Sequence, residues 1–175
     1  NRCGTLCVHF PKWKETMKKQ SRLLFVCMGN ICRSPTAEGI MLHLIRKNGL
    51  ENLIECDSAG THGYHVGEPA DWRMLNHAQI RGYDLPSCSR KIHPASDFPY
   101  YDWILVMDDR NYQDVIDLDS FREYASKIRR ITDFCQMMKA NEVPDPYYSG
   151  DAGFELVIDI LEDACVGLME RLKAQ

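Results

Sequence analysis

The stretch 23–35, LLFVCMGNICRSP, leaves the backbone few options. Residues 23–26 form a short apolar run of the kind that a parallel sheet covers on both faces. Ser34 reads as a helix N-cap and Pro35 as the first helical residue, where a missing N–H loses no intrahelical partner. Strand and helix are thus joined by a tight turn. Gly29 and Asn30 in that turn tolerate backbone angles that other residues resist.

Such a turn aims several backbone N–H groups inward at the positive end of a helix. Residues Met28, Gly29, Asn30, Ile31, Cys32, Arg33 and Ser34 then form a cradle for a phosphate-sized anion. Arg33 adds a planar fork of donors matched to two phosphoryl oxygens. Cys27, at the carboxyl end of the strand, presents its sulfur to the same cradle, where amides and guanidinium favour thiolate. A thiolate beneath a bound phosphate implies nucleophilic phosphoryl transfer. The Cys-x5-Arg spacing alone is weak, because eight Cys and twelve Arg also produce Cys165 and Arg171. That second pair lies in an amphipathic helical pattern beside Glu170, and six helical steps put its members on different faces. Context selects Cys27.

Four segments carry a resemblance: Val26-Cys27-Met28-Gly29-Asn30-Ile31-Cys32-Arg33-Ser34-Pro35, Asp57-Ser58-Ala59-Gly60-Thr61, Met107-Asp108, and Asp145-Pro146-Tyr147-Tyr148. Together they are similar to the low-molecular-weight protein tyrosine phosphatases, from about residue 22 to 172. The resemblance implies hydrolysis of phosphotyrosine in proteins, and of small aryl phosphates, through a phosphocysteine on Cys27. Arg33 and the loop amides would bind phosphate, with Asn30, Ser34, Ser58 and Asp108 supporting the loop. Asp145 would be the general acid and then the base, its aim stiffened by Pro144 and Pro146. Tyr64, Ile31, Tyr147 and Tyr148 would line the substrate pocket as a slot deep enough to favour phosphotyrosine over phosphoserine. Ile31 stands where relatives acting on phosphoarginine carry Thr. In relatives the paired tyrosines are themselves phosphorylated. Many members have His at the position of Ser87, touching the loop asparagine; here a hydroxyl must replace that contact. Cys32, close to Cys27 on one loop, suits a reversible Cys27–Cys32 disulfide under peroxide.

A length of 175 residues suits one domain with a proper core, residues 22–175, preceded by a basic arm at 1–21. That arm holds Arg2, Lys12, Lys14, Lys18 and Lys19 against Glu15. Its Cys3, Cys7 and His9 lack an evident fourth metal ligand. A net charge of −4 argues against general attraction to nucleic acid. No apolar run approaches the roughly 20 residues that span a bilayer. Scattered cysteines and a required thiolate fit a reducing, cytoplasmic setting. Tyrosine-phosphorylated proteins are the expected partners of a monomer with at most weak self-association. No cofactor or metal is required, since amides and Arg33 supply the positive charge.

The expected fold is α/β: a flavodoxin-like three-layer sandwich with a four-stranded parallel sheet, order 2-1-3-4, and helices on both faces. Helices are expected over 35–48, ended by Gly49, over 70–81, ended by Gly82, and from 154 onward, with Val157, Ile158, Leu161, Leu168 and Leu172 as its apolar stripe. Strands are expected at 53–56, 102–106 and 127–131. By composition 57–61 reads as a turn, Trp72 as partial core, and Asp108 as either a helix cap or a site contact. Two rivals share parts of this pattern. A thioredoxin-linked arsenate reductase needs cysteines near the end of the third strand, where Ile104-Leu105-Val106-Met107 stands. A non-catalytic phosphotyrosine-binding module needs neither Cys27 nor Asp145.

Overall fold

The computed structural model describes residues 20–174; the rest of the basic arm, with Cys3, Cys7 and His9, lies outside them. Strand β1, Ser21–Cys27, leads into helix α1, Arg33–Asn48, and β2, Ile54–Gly60, follows. Next come α2, Trp72–Ile80, α3, Pro94–Tyr100, β3, Trp103–Val106, and α4, Asp109–Leu118. Strand β4, Ile128–Arg130, lies between two short 3-10 turns, and α5, Gly150–Lys173, closes the chain. The four strands are parallel in the order β2-β1-β3-β4, as expected.

The apolar run of β1 divides its side chains between the two faces. Leu23 and Phe25 join Leu105, Met41, Phe154 and Leu161 beneath α1 and α5. Leu24 and Val26 join Ile104, Val106, Phe98 and Val115 beneath α3 and α4. This is why β1 carries no polar alternation: both of its faces are covered. Truncating fully buried Phe25 to Ala would cost about 3–5 kcal/mol. The α5 stripe of Val157, Ile158, Leu161, Leu168 and Leu172 is wholly buried. Gly49 ends α1 in the left-handed region at φ 61°, donating its N–H to Arg46 O over 3.0 Å. Among the described residues no helix is long and apolar enough to cross a membrane.

Four local expectations are corrected. Helix α1 begins at Arg33 with Cys32 before it, so Ser34 is the second helical residue rather than the cap, and Pro35 the third. The Ser34 hydroxyl is withdrawn from capping by Cys27 and Asn30, and Pro35 still sits in the first turn, where it breaks no intrahelical bond. Residues 57–60 continue β2 instead of turning, because each pairs with β1, from Asp57 against Leu24 to Gly60 against Cys27. Trp72 is 75% exposed, not core: it is the first residue of α2, whose buried face carries Met74 and Ala78. Asn30 takes φ 55°, whereas Gly29 has no positive φ and instead packs close to the His65 ring. Helix α3, seven residues including two prolines, carries no periodic signal in the sequence.

Candidate active site

Cys27, the last residue of β1, points its sulfur into the turn that precedes α1. The Asn30 N–H donates to Cys27 Sγ over 3.3 Å, and Ser34 Oγ lies 3.0 Å from the same sulfur. No side chain among the described residues caps α1, so the positive helix end faces the sulfur uncapped. The turn is tightly seated. Thr61 N–H donates to Cys27 O at 2.9 Å and His62 N–H to Met28 O at 3.0 Å. A Cβ on Gly60 would lie 2.8 Å from Met28 O and 2.9 Å from His62 O, so only glycine permits this approach of β2 to the loop.

Arg33 is 3% exposed and fully engaged. Its Nη1 donates to Asp108 Oδ2 at 2.5 Å and to Val143 O at 3.1 Å; its Nη2 donates to Asp145 Oδ2 at 3.2 Å. Burial pulls the guanidinium downward, but the Cys27 sulfur, Asp108 and Asp145 outweigh it and hold the proton above the ordinary arginine range. Asp108 fills both roles read from the sequence: Oδ2 pairs with Arg33, and Oδ1 caps α4 by accepting the Asn111 N–H at 2.6 Å. Asp145 Oδ1 accepts the Tyr147 N–H at 3.1 Å, and its carboxyl is about half exposed on the pocket side.

The resulting pocket, about 300 Å³, is lined by Cys27, Met28, Gly29, Ile31, Cys32, Arg33, Tyr64, His65, Asp145, Tyr147 and Tyr148. Ten of these eleven are sequence-predicted. Tyr64 stacks on His62 with centroids 5.2 Å apart, and Tyr147 meets Tyr148 edge to face at 4.9 Å. Asn30, Ser34, Ser58 and Asp108 lie behind the pocket rather than in its wall. Asn30 Nδ2 donates to Ser34 Oγ and to Ser58 Oγ, each at 2.9 Å. Cys32 is buried, and desolvation pushes its thiol far above the usual range, with Asp71 adding to the effect. Among the described residues there is no group of His, Cys, Asp or Glu side chains fit to hold a metal.

Three residues escaped sequence reasoning. His65 lines the pocket, its Nδ1 2.7 Å from Glu68 Oε2. Arg73 stands with its guanidinium 5.0 Å from the Tyr147 ring centroid and donates to Tyr147 O at 3.1 Å. Glu38 is 4% exposed and accepts from Ser58 Oγ at 2.6 Å and from Ser87 Oγ at 2.5 Å. The available signal for Glu38 was its spacing, one helical turn past Ser34. Ser87 therefore does not touch Asn30. That contact is made by the Arg90 backbone N–H, which donates to Asn30 Oδ1 at 2.9 Å.

Comparison with known proteins bears on this geometry. A relative from Synechocystis sp. is 49% identical over 151 residues, covering 86% of this chain and 96% of its own. A crystal structure of a protein tyrosine phosphatase from Entamoeba histolytica superposes with a TM-score of 0.85 at 48% identity, covering 89% of this chain and 98% of its own. The structure of a Drosophila arginine phosphatase superposes with a TM-score of 0.78 at 29% identity, covering 85% and 96%. The family profile described as low molecular weight phosphotyrosine protein phosphatase matches residues 22–175. On fold, motifs and extent of match, this chain belongs to the low molecular weight phosphotyrosine protein phosphatase family.

Proposed function

We propose that the chain hydrolyses phosphotyrosine in proteins, and small aryl phosphates, through a phosphocysteine on Cys27. The observation that supports this best is the meeting of sulfur, guanidinium and carboxyl in one pocket, with Arg33 Nη2 3.2 Å from Asp145 Oδ2. In the first step the Cys27 thiolate attacks phosphorus, the aryl–oxygen bond to phosphorus breaks, and Asp145 gives its proton to the departing phenolate. Protonation matters because a phenol has a pKa near ~10, so its anion leaves poorly. In the second step Asp145 takes a proton from water, the oxygen attacks phosphorus, and the sulfur leaves again as thiolate with release of phosphate. Arg33 and the amides of residues 28–34 hold the equatorial oxygens in both steps.

Ile31 lines the pocket where relatives acting on phosphoarginine carry Thr, which supports an aryl substrate over a guanidino one. Replacing Cys27 by Ala abolishes hydrolysis of an aryl phosphate while phosphate binding survives. An active Cys27→Ala protein would refute the reading. A paired redox role also follows: peroxide oxidises the Cys27 thiolate to a sulfenic acid, and the Cys32 thiol displaces its oxygen as water to form a disulfide. Cys32 lines the same pocket and stays a thiol at neutral pH. All six cysteines among the described residues are free, which suits a reducing, cytoplasmic compartment.

A further inference from the structure

The two aromatic walls of the pocket are held in different ways. Tyr147 is gripped from α2: the Arg73 guanidinium lies 5.0 Å from its ring centroid and donates to its carbonyl, and its ring meets Tyr148 edge to face. Tyr64 stands 72% exposed. Among the described residues its side chain has one ring contact, the stack on His62 with planes 13° from parallel, and no hydrogen bond. Tyr64 lines the pocket and His62 does not, so the imidazole backs the phenol from behind and leaves its other face to the pocket.

His62 is itself pinned from two directions. Its Nδ1 lies 2.9 Å from Thr61 Oγ1, which in turn donates to Asp114 Oδ2 at 3.2 Å. The Thr61 hydroxyl has one proton, and an ionised carboxylate only accepts. That proton goes to Asp114, so the same oxygen accepts from His62 and the imidazole carries its proton on Nδ1. The ring is thereby tied through Thr61 to α4, on which Asp114 sits. The backbone of His62 is tied to the residue after Cys27, its N–H donating to Met28 O at 3.0 Å. Met28, His62 and Tyr64 thus make one line of contacts from the phosphate cradle to the pocket wall.

We propose, on the reading of this pocket as that of an aryl phosphatase, that His62 is a positioning residue for substrate binding: its stacked imidazole holds the Tyr64 ring in place beside the phosphate cradle, so that the wall is ready before the aryl group of the substrate arrives. An exposed side chain that is already ordered loses less freedom when a ligand packs on it, and the stack also fixes which face the ligand meets. The effect is that of one aromatic pair, which corresponds to about fivefold in affinity. All of it belongs to the aryl group, because inorganic phosphate occupies the cradle alone and does not reach Tyr64.

The test compares calorimetric binding of benzylphosphonate, an aryl ligand that cannot be hydrolysed, with binding of inorganic phosphate, beside kcat and KM on an aryl phosphate and the thermal melt. His62→Ala is expected to weaken benzylphosphonate binding by about fivefold and to raise KM as much, with kcat and phosphate affinity within about twofold of wild type. Its backbone N–H still reaches Met28 O, so the cradle keeps that support. His62→Phe, which restores a ring but not the bond to Thr61, recovers benzylphosphonate affinity to within about twofold. Tyr64→Ala loses at least as much as His62→Ala, and the double variant loses no more than Tyr64→Ala, because His62 acts only through that ring. Unchanged benzylphosphonate binding in folded His62→Ala overturns the proposal. So does an equal loss of phosphate affinity, a His62→Phe protein as weak as His62→Ala, or additive losses in the double variant. If His62→Ala does not melt cooperatively, His62→Gln, polar but without a ring, takes its place under the same expectations. Wild-type protein that shows these binding differences from its variants yet releases no phosphate from the aryl ester sinks the phosphatase reading instead, and leaves the brace standing.

Discussion

Asn30 N–H donates to the Cys27 sulfur, whereas among the described residues no group donates to the sulfur of Cys32, whose thiol is pushed above the usual range by burial. Under the proposed redox role this buried thiol would capture a sulfenic acid formed on Cys27. Replacing Cys32 by Ser should leave turnover within about twofold, since no reacting atom is lost, but should make peroxide inactivation irreversible by added thiol. Full recovery of Cys32→Ser with thiol would remove the role. At this scale the sequence was legible wherever one residue type had one chemical use. Cys27 and Arg33 could be singled out from the strand, turn and helix chemistry around them, whereas Asp145 was singled out through the resemblance of its motif to a known family; all three line one pocket. Ser34 was misread because a serine before a proline serves equally as cap or as bridge, and only the neighbouring sulfur and amide decide which. Glu38 was passed over because a buried carboxylate on a helix looks, in sequence, much like a solvated one, its spacing from Ser34 being the available hint.

Between elements, α2 and α5 are laced by charge. Arg81 reaches Glu155 at 2.6 Å, Asp159 at 2.6 Å and Glu162 at 3.1 Å, and His77 Nδ1 donates to Glu155 Oε1 at 2.5 Å. Arg81, and then His77, hold the Glu155 carboxyl below the ordinary carboxylate range. A folded value below the unfolded one means that the stabilisation is present above the unfolded value and is lost as pH falls through the folded one. Glu155 is partly exposed, with 39% of its side chain accessible, so screening limits the gain to about 0.2–1 kcal/mol. Glu155→Gln should therefore melt below wild type at neutral pH, with the gap closing as pH drops under about 4. A gap that persists in acid would show that packing, not charge, links the helices. The strand at 54–60 teaches a related lesson. Its Asp-Ser-Ala-Gly composition favours a turn locally, yet pairing with β1 along its full length overrides that preference.

Across the whole molecule, the site is a property of the sheet. Cys27 ends β1, Gly60 ends β2 beside it, and Asp108 follows β3, so three strand ends converge on one rim. Alternating strand and helix patterns implied a parallel sheet, and the order 2-1-3-4 came with the resemblance to a known family. An anion bound there should stabilise the fold as a unit. Inorganic phosphate at about 100 times its dissociation constant should raise the unfolding free energy by about 2.7 kcal/mol, and Arg33→Ala should erase that shift. A shift that survives Arg33→Ala would place the anion elsewhere.

Helix α2 touches both sides of the pocket mouth. Its cap residue Asp71 donates its N–H to Ile31 O at 2.7 Å, while Arg73, paired to Asp71 at 2.8 Å, reaches across to Tyr147 O. One lip carries Ile31 and the other carries Asp145 and Tyr147, and a single helical turn is the tie-rod between them. The width of the mouth is thus set from outside, by where α2 rests on α5, and a substitution far from phosphorus can retune what enters without touching any atom that reacts.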